Sequence, residues 1–154
     1  FLLQNEEGVM TTVINQGEMV TLYYTFRVVN EPVEGKIAAG VMIFDNLNRV
    51  VHGRDNYQAN PHMHLPGRLE PGSFVRFKQK VKMDIKEGMY IARLRALQVK
   101  EDEGLRETIF PSEQVMSFEV ILPQKNALFT LFEGMADLAG SSVVQWKHGD
   151  DGDH

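Results

Sequence analysis

The chain has no cysteine, which excludes disulfide staples, a thiol nucleophile and thiolate metal sites, and is compatible with a cytosolic setting. It has no apolar run of the roughly 18 residues that a membrane-spanning helix needs. Lys and Arg total 16 against 21 Asp and Glu, a net charge of −5, so nothing marks a nucleic-acid backbone as a partner. There is no G-x-x-x-x-G-K-[ST] phosphate loop and no G-x-S-x-G nucleophile elbow. Internal repeats and low-complexity blocks are absent. No initiating Met is present, and Phe1-Leu2-Leu3-Gln4 is too short and lacks the basic flank of a signal peptide. A piece of a longer protein is therefore expected. What remains is 154 residues, 43% hydrophobic and 24% charged, the balance of a soluble globular chain long enough for one core.

Period-two alternation dominates. In the stretch from Arg68 to Gln98, Val75, Phe77, Val81 and Met83 alternate with Arg76, Lys78, Lys80 and Lys82. After the turn at Lys86-Glu87-Gly88, Tyr90, Ala92, Leu94 and Ala96 alternate with Ile91, Arg93, Arg95 and Leu97. Each run predicts a strand with one buried and one wet face. Further strands are expected over 9–15, 19–29, 36–45, 49–52, 105–110 and 116–122, punctuated by turns such as Gln16-Gly17-Glu18 and Pro71-Gly72. The stretch 53–67 breaks the pattern and reads as a long, functional loop. Strands at this spacing predict an all-β antiparallel sandwich. The tail differs: apolar residues at 128, 131, 132, 135 and 138 fit a short C-terminal helix. A last short strand follows over 141–146, and 149–154 reads as a disordered end. The domains expected are a sandwich over 1–122 and a tail over 123–148 that precedes that end.

The ordered fragments Gly17-Glu18, Val41 to Val51 with Gly53, Leu69 to Gly72, Phe77, Gly88 and Tyr90 carry a resemblance. Across roughly Gly8 to Leu122 the chain resembles the C-terminal domain of the nucleotide-binding subunit of polysaccharide-exporting ABC transporters, the Wzt type. The resemblance implies an immunoglobulin-like or jelly-roll sandwich without catalysis or cofactor. It implies recognition of the non-reducing end of an exported O-antigen polysaccharide, at the cytoplasmic face of the inner membrane. It implies too a homodimer and, through the full-length protein, a transmembrane subunit as partners, with the ATPase domain upstream. A helix-like link followed by a lone strand is the pattern of a strand exchanged between protomers.

A sugar site needs planar hydrogen-bonding groups and an aromatic face. Tyr23 and Arg27 of one strand are read as neighbours of Arg93 and Arg95 of another on a wet face suited to hydroxyls or oxyanions; the plain alternative is a solvated surface with snorkelling stems. His52, Arg54, Asp55, Asn56 and Tyr57 form the densest polar run, opening the long loop, where Gly53-Arg54-Asp55-Asn56 partly keeps the family's G-x-[ND]. The plain alternative there is a turn bonding its own backbone. Trp146 is read as a packing anchor. Two other readings stay open. His62 and His64, spaced to share a metal on an extended segment and followed by Glu70, resemble part of a cupin motif; no second motif completes it, so no metal ligand is assigned. A ligand-free immunoglobulin-type assembly module is the other.

Overall fold

Met19–Arg27 (β3) shows how the chain builds a sandwich. Val20, Leu22 and Tyr24 point inward and are buried, while Thr25 and Arg27 on the other parity are exposed. Its antiparallel partner is Phe74–Lys82 (β8), in which Val75, Phe77, Gln79 and Val81 are buried and Arg76, Lys78, Lys80 and Lys82 exposed. In the computed structural model, which describes residues 1–100, 105–123 and 140–147, these strands form the centre of a four-stranded sheet. Leu2–Gln4 (β1) flanks β3, and Gly140–Lys147 (β11) flanks β8.

The facing sheet is five-stranded, in the order β2-β10-β9-β5-β6. Its members are Val13–Asn15 (β2), Leu105–Ile121 (β10), Gly88–Lys100 (β9), Lys36–Asp45 (β5) and Val50–Asp55 (β6). Strand β5 is covered on both faces, as its near-continuous apolar run predicts: Ile37, Ala38, Ala39, Val41, Ile43 and Phe44 are all buried. A two-stranded ribbon, Val33–Glu34 (β4) with Arg68–Leu69 (β7), closes one end. Between the sheets Tyr24 stacks on Phe77 with ring centroids 5.0 Å apart, and Phe26 meets Phe110 edge-on across the gap at 5.2 Å. Gly17, at φ 81°, makes the turn between β2 and β3, and the Glu18 carboxylate holds it by accepting from the Asn15 N–H at 2.9 Å.

The all-β sandwich is as expected, with three amendments. The edge pair β2–β10 is parallel, not antiparallel. The expected strands over 105–110 and 116–122 are one strand, with register shifts on both sides of Pro111 absorbing the missing N–H. The long loop starts later than the sequence suggests, because Gly53 to Asp55 continue β6 and Asn56–Ala59 (α1) forms one helical turn. The last strand, β11, is present and pairs with β8 over eight positions from Gly140 to Lys147. The expected C-terminal helix over 126–138 and the disordered end over 149–154 lie outside the described residues, as does the Trp146 side chain.

Candidate functional site

The outward face of the five-stranded sheet is shaped by register. Gly40 of β5 lies between Arg95 of β9 and Asp55 of β6. Neighbouring strands are about 4.8 Å apart, so the two charged residues stand about 10 Å apart over a position without a side chain. One row along, Met42 lies between Arg93 and Gly53; in the other direction Ala38 neighbours Leu97, and then Lys36, Val99 and Arg106 share a row. Small residues thus floor a trough walled by long polar ones. A recess of about 210 Å³ includes Gly40, Gly53, Asp55, Gln58 and Arg95. It shares Ala38, Asp55, Gln58 and Leu97 with a second, of about 380 Å³, that adds Lys36, Tyr57 and Arg106.

Gly40 is obligatory here. A Cβ at that position would run into the Arg54 carbonyl oxygen, because β5 and β6 approach closely. Asp55 is fixed as the N-cap of α1: its Oδ1 accepts from the Gln58 N–H at 2.8 Å, while the Gln58 side chain accepts from the Asp55 N–H at 3.0 Å. Asp55 lines both recesses. The Tyr57 ring stands at the rim, 5.9 Å from the Lys36 ammonium. Behind the sheet, burial holds the pKa of the Tyr24 phenol above its ordinary value, and the Asp55 charge adds to it.

Of the residues singled out from sequence, Asp55, Tyr57 and Arg95 gather at this trough; Arg54, in register with buried Val41, turns its side chain to the other face of β6 and leaves only its backbone carbonyl beside Gly40. Tyr23 and Arg27 do not, because β3 belongs to the four-stranded sheet and their side chains leave the opposite side of the sandwich. Their expected adjacency to Arg93 and Arg95 is therefore overturned. Arg93 shares the right face but is held at its end: its guanidinium lies 4.4 Å over the Phe44 ring and donates to Asn48 Oδ1 at 2.7 Å. Asn56 is a buried staple, not a loop group facing ligand. Its Oδ1 accepts from the Ala39 N–H at 2.7 Å and its Nδ2 donates to the Ile37 carbonyl at 3.2 Å. His52 is half-buried, in register with the inward-pointing Ile43. Lys36, Gln58 and Arg106 were missed, since cross-strand rows are invisible in a linear pattern. His62 and His64 are exposed on either side of buried Met63, and no group of three or more His, Asp or Glu able to hold a metal occurs among the described residues.

Fold and trough define the class, a two-sheet β-sandwich with an open, polar-walled groove on one sheet. The chain belongs to the Wzt C-terminal domain family, whose sequence model matches residues 1–138. It is thus a non-catalytic domain of a Wzt-type ABC transporter. A crystal structure of the C-terminal domain of wzt is similar in fold, with a TM-score of 0.64 at 12% identity, covering 80% of this chain and 71% of that one. No curated protein matches the chain.

Proposed function

We propose that the trough binds the non-reducing end of an O-antigen polysaccharide and so selects finished chains for export. The observation carrying this reading is the row Arg95–Gly40–Asp55, which pairs donors and an acceptor across an empty slot about two strand spacings wide. A pyranose ring fits such a slot, with its hydroxyls reached from both walls and Tyr57 at the rim offering an aromatic face. Several hydrogen bonds of modest net worth give weak affinity per site, and a homodimer raises it by avidity. Exchange of β11 between protomers is the proposed route to that dimer. In the longer protein the domain would work beside the transmembrane subunit, at the cytoplasmic face of the inner membrane. Among the described residues no helix is long and apolar enough to cross a membrane.

Calorimetric titration of the chain with purified O-polysaccharides, including that of its own source, tests the reading. Arg95→Ala and Asp55→Asn, the latter keeping an N-cap acceptor, are expected to weaken saturable binding about tenfold each, while Arg93→Ala changes it little. Binding that is indifferent to Arg95→Ala and Asp55→Asn moves the site elsewhere. No binding to any O-polysaccharide sinks the proposal.

A further inference from the structure

The four-stranded sheet has a wet face of its own, on the side of the sandwich away from the trough. By register its outward positions are Phe74, Arg76, Lys78, Lys80 and Lys82 on β8, beside Arg27, Thr25, Tyr23, Thr21 and Met19 on β3. The four β8 cations and Arg27 are exposed. No described outward position on β1, β3, β8 or β11 is acidic. Among the described residues only Lys82 of this set forms an ion pair, with Asp84 at 2.9 Å. In a chain of net charge −5 this face is a local excess of positive charge. Alternate residues of a strand are about 7 Å apart, inside the Debye length at physiological salt, so these cations repel one another.

Lysines on an exposed edge strand guard against edge-to-edge pairing, but β8 lies between β3 and β11 and is no edge. Nor is the face purely polar. Leu2, Tyr23, Lys78 and Val143 share one row across the sheet, with Leu2 51% and Val143 55% exposed. A recess of about 490 Å³ on this side is lined by Leu2, Met10, Tyr23, Arg76, Lys78 and Gln145, among others. Cations flanked by exposed aliphatic groups fit the boundary of a bilayer, with phosphates meeting the basic stems and apolar tips entering among the headgroups. A second copy docked face to face would set like charges together. An acidic glycan would leave the exposed Leu2 and Val143 unused.

We infer that the outer face of the four-stranded sheet is a docking surface for a bilayer carrying anionic phospholipid. Docked this way, the domain turns its trough away from the lipid. The inference does not depend on what the trough binds, and the two faces can fail separately. The test is sedimentation of the 154-residue chain with vesicles of phosphatidylcholine alone or mixed with phosphatidylglycerol. Binding is expected to the mixed vesicles only, falling about five-fold for each of Lys78→Gln and Lys80→Gln and about 25-fold for both. Val143→Ser lowers it further, and Lys86→Gln, at a loop off this face, does not. Circular dichroism melts establish that each variant is folded. Equal binding to both vesicle types, none to either, or an equal loss in Lys86→Gln overturns the inference. So does binding to soluble hyaluronate through Lys78 and Lys80 without binding to vesicles, which would assign the face to an acidic glycan.

Discussion

Single polar residues here divide into those that hold the backbone and those that face outward, and side-chain type does not tell which. Asn56 and Asp55 are adjacent in sequence, yet Asn56 is 1% exposed and satisfies both the Ala39 N–H and the Ile37 carbonyl. Removing that amide leaves two backbone groups of a covered strand unpaired. Asn56→Ala is expected to cost about 2–3 kcal/mol, read as a lower urea midpoint at an unchanged slope. Asp55→Asn, which keeps the cap, is expected to shift the midpoint little. If Asn56→Ala leaves the midpoint where it was, the staple is not a source of stability. From sequence these two residues were indistinguishable, since both suit a turn that bonds its own backbone; the fate of Asn56 was decided by β5, 17 positions earlier at Ala39.

At the scale of strands, alternation in the sequence was legible because a half-buried sheet imposes it residue by residue. It foretold which side chains of β8 and β9 point inward. It carried no information on which strands share a sheet. That is why Tyr23 and Arg93, both outward, were placed together although they leave opposite sides of the sandwich. The trough was illegible for the same reason, since its floor is made by glycines on different strands. Gly40 and Gly53 are also unequal. A Cβ at Gly40 meets the Arg54 backbone, whereas one at Gly53 meets only the Met42 side chain, at 3.6 Å. Gly40→Ala is therefore expected to destabilise by about 1–3 kcal/mol as β5 and β6 are forced apart. Gly53→Ala is expected to keep the thermal midpoint within the error of a melt. Equal melting of the two variants would show that β6 yields at no cost.

For the molecule as a whole, the order of strands places β11 where it matters most. It covers β8, supplies half-buried Val144 to the margin of the core, and completes the basic face with Val143 and Gln145. A chain ending at residue 139 would leave β8 as an edge along its whole length. The loss is expected to be at least the roughly 1.5–3 kcal/mol that burying a Val side chain is worth. The shortened chain should nevertheless stay soluble, because Lys78, Lys80 and Lys82 would then stand on an open edge and disfavour strand-to-strand addition. Sedimentation across a concentration series separates this structural role from the proposed exchange. Were β11 the element traded between protomers, the full chain would sediment as a dimer and the shortened one as a monomer. A dimer that persists without β11 would leave the strand as a cover for its own β8 and place the protomer contact on another surface.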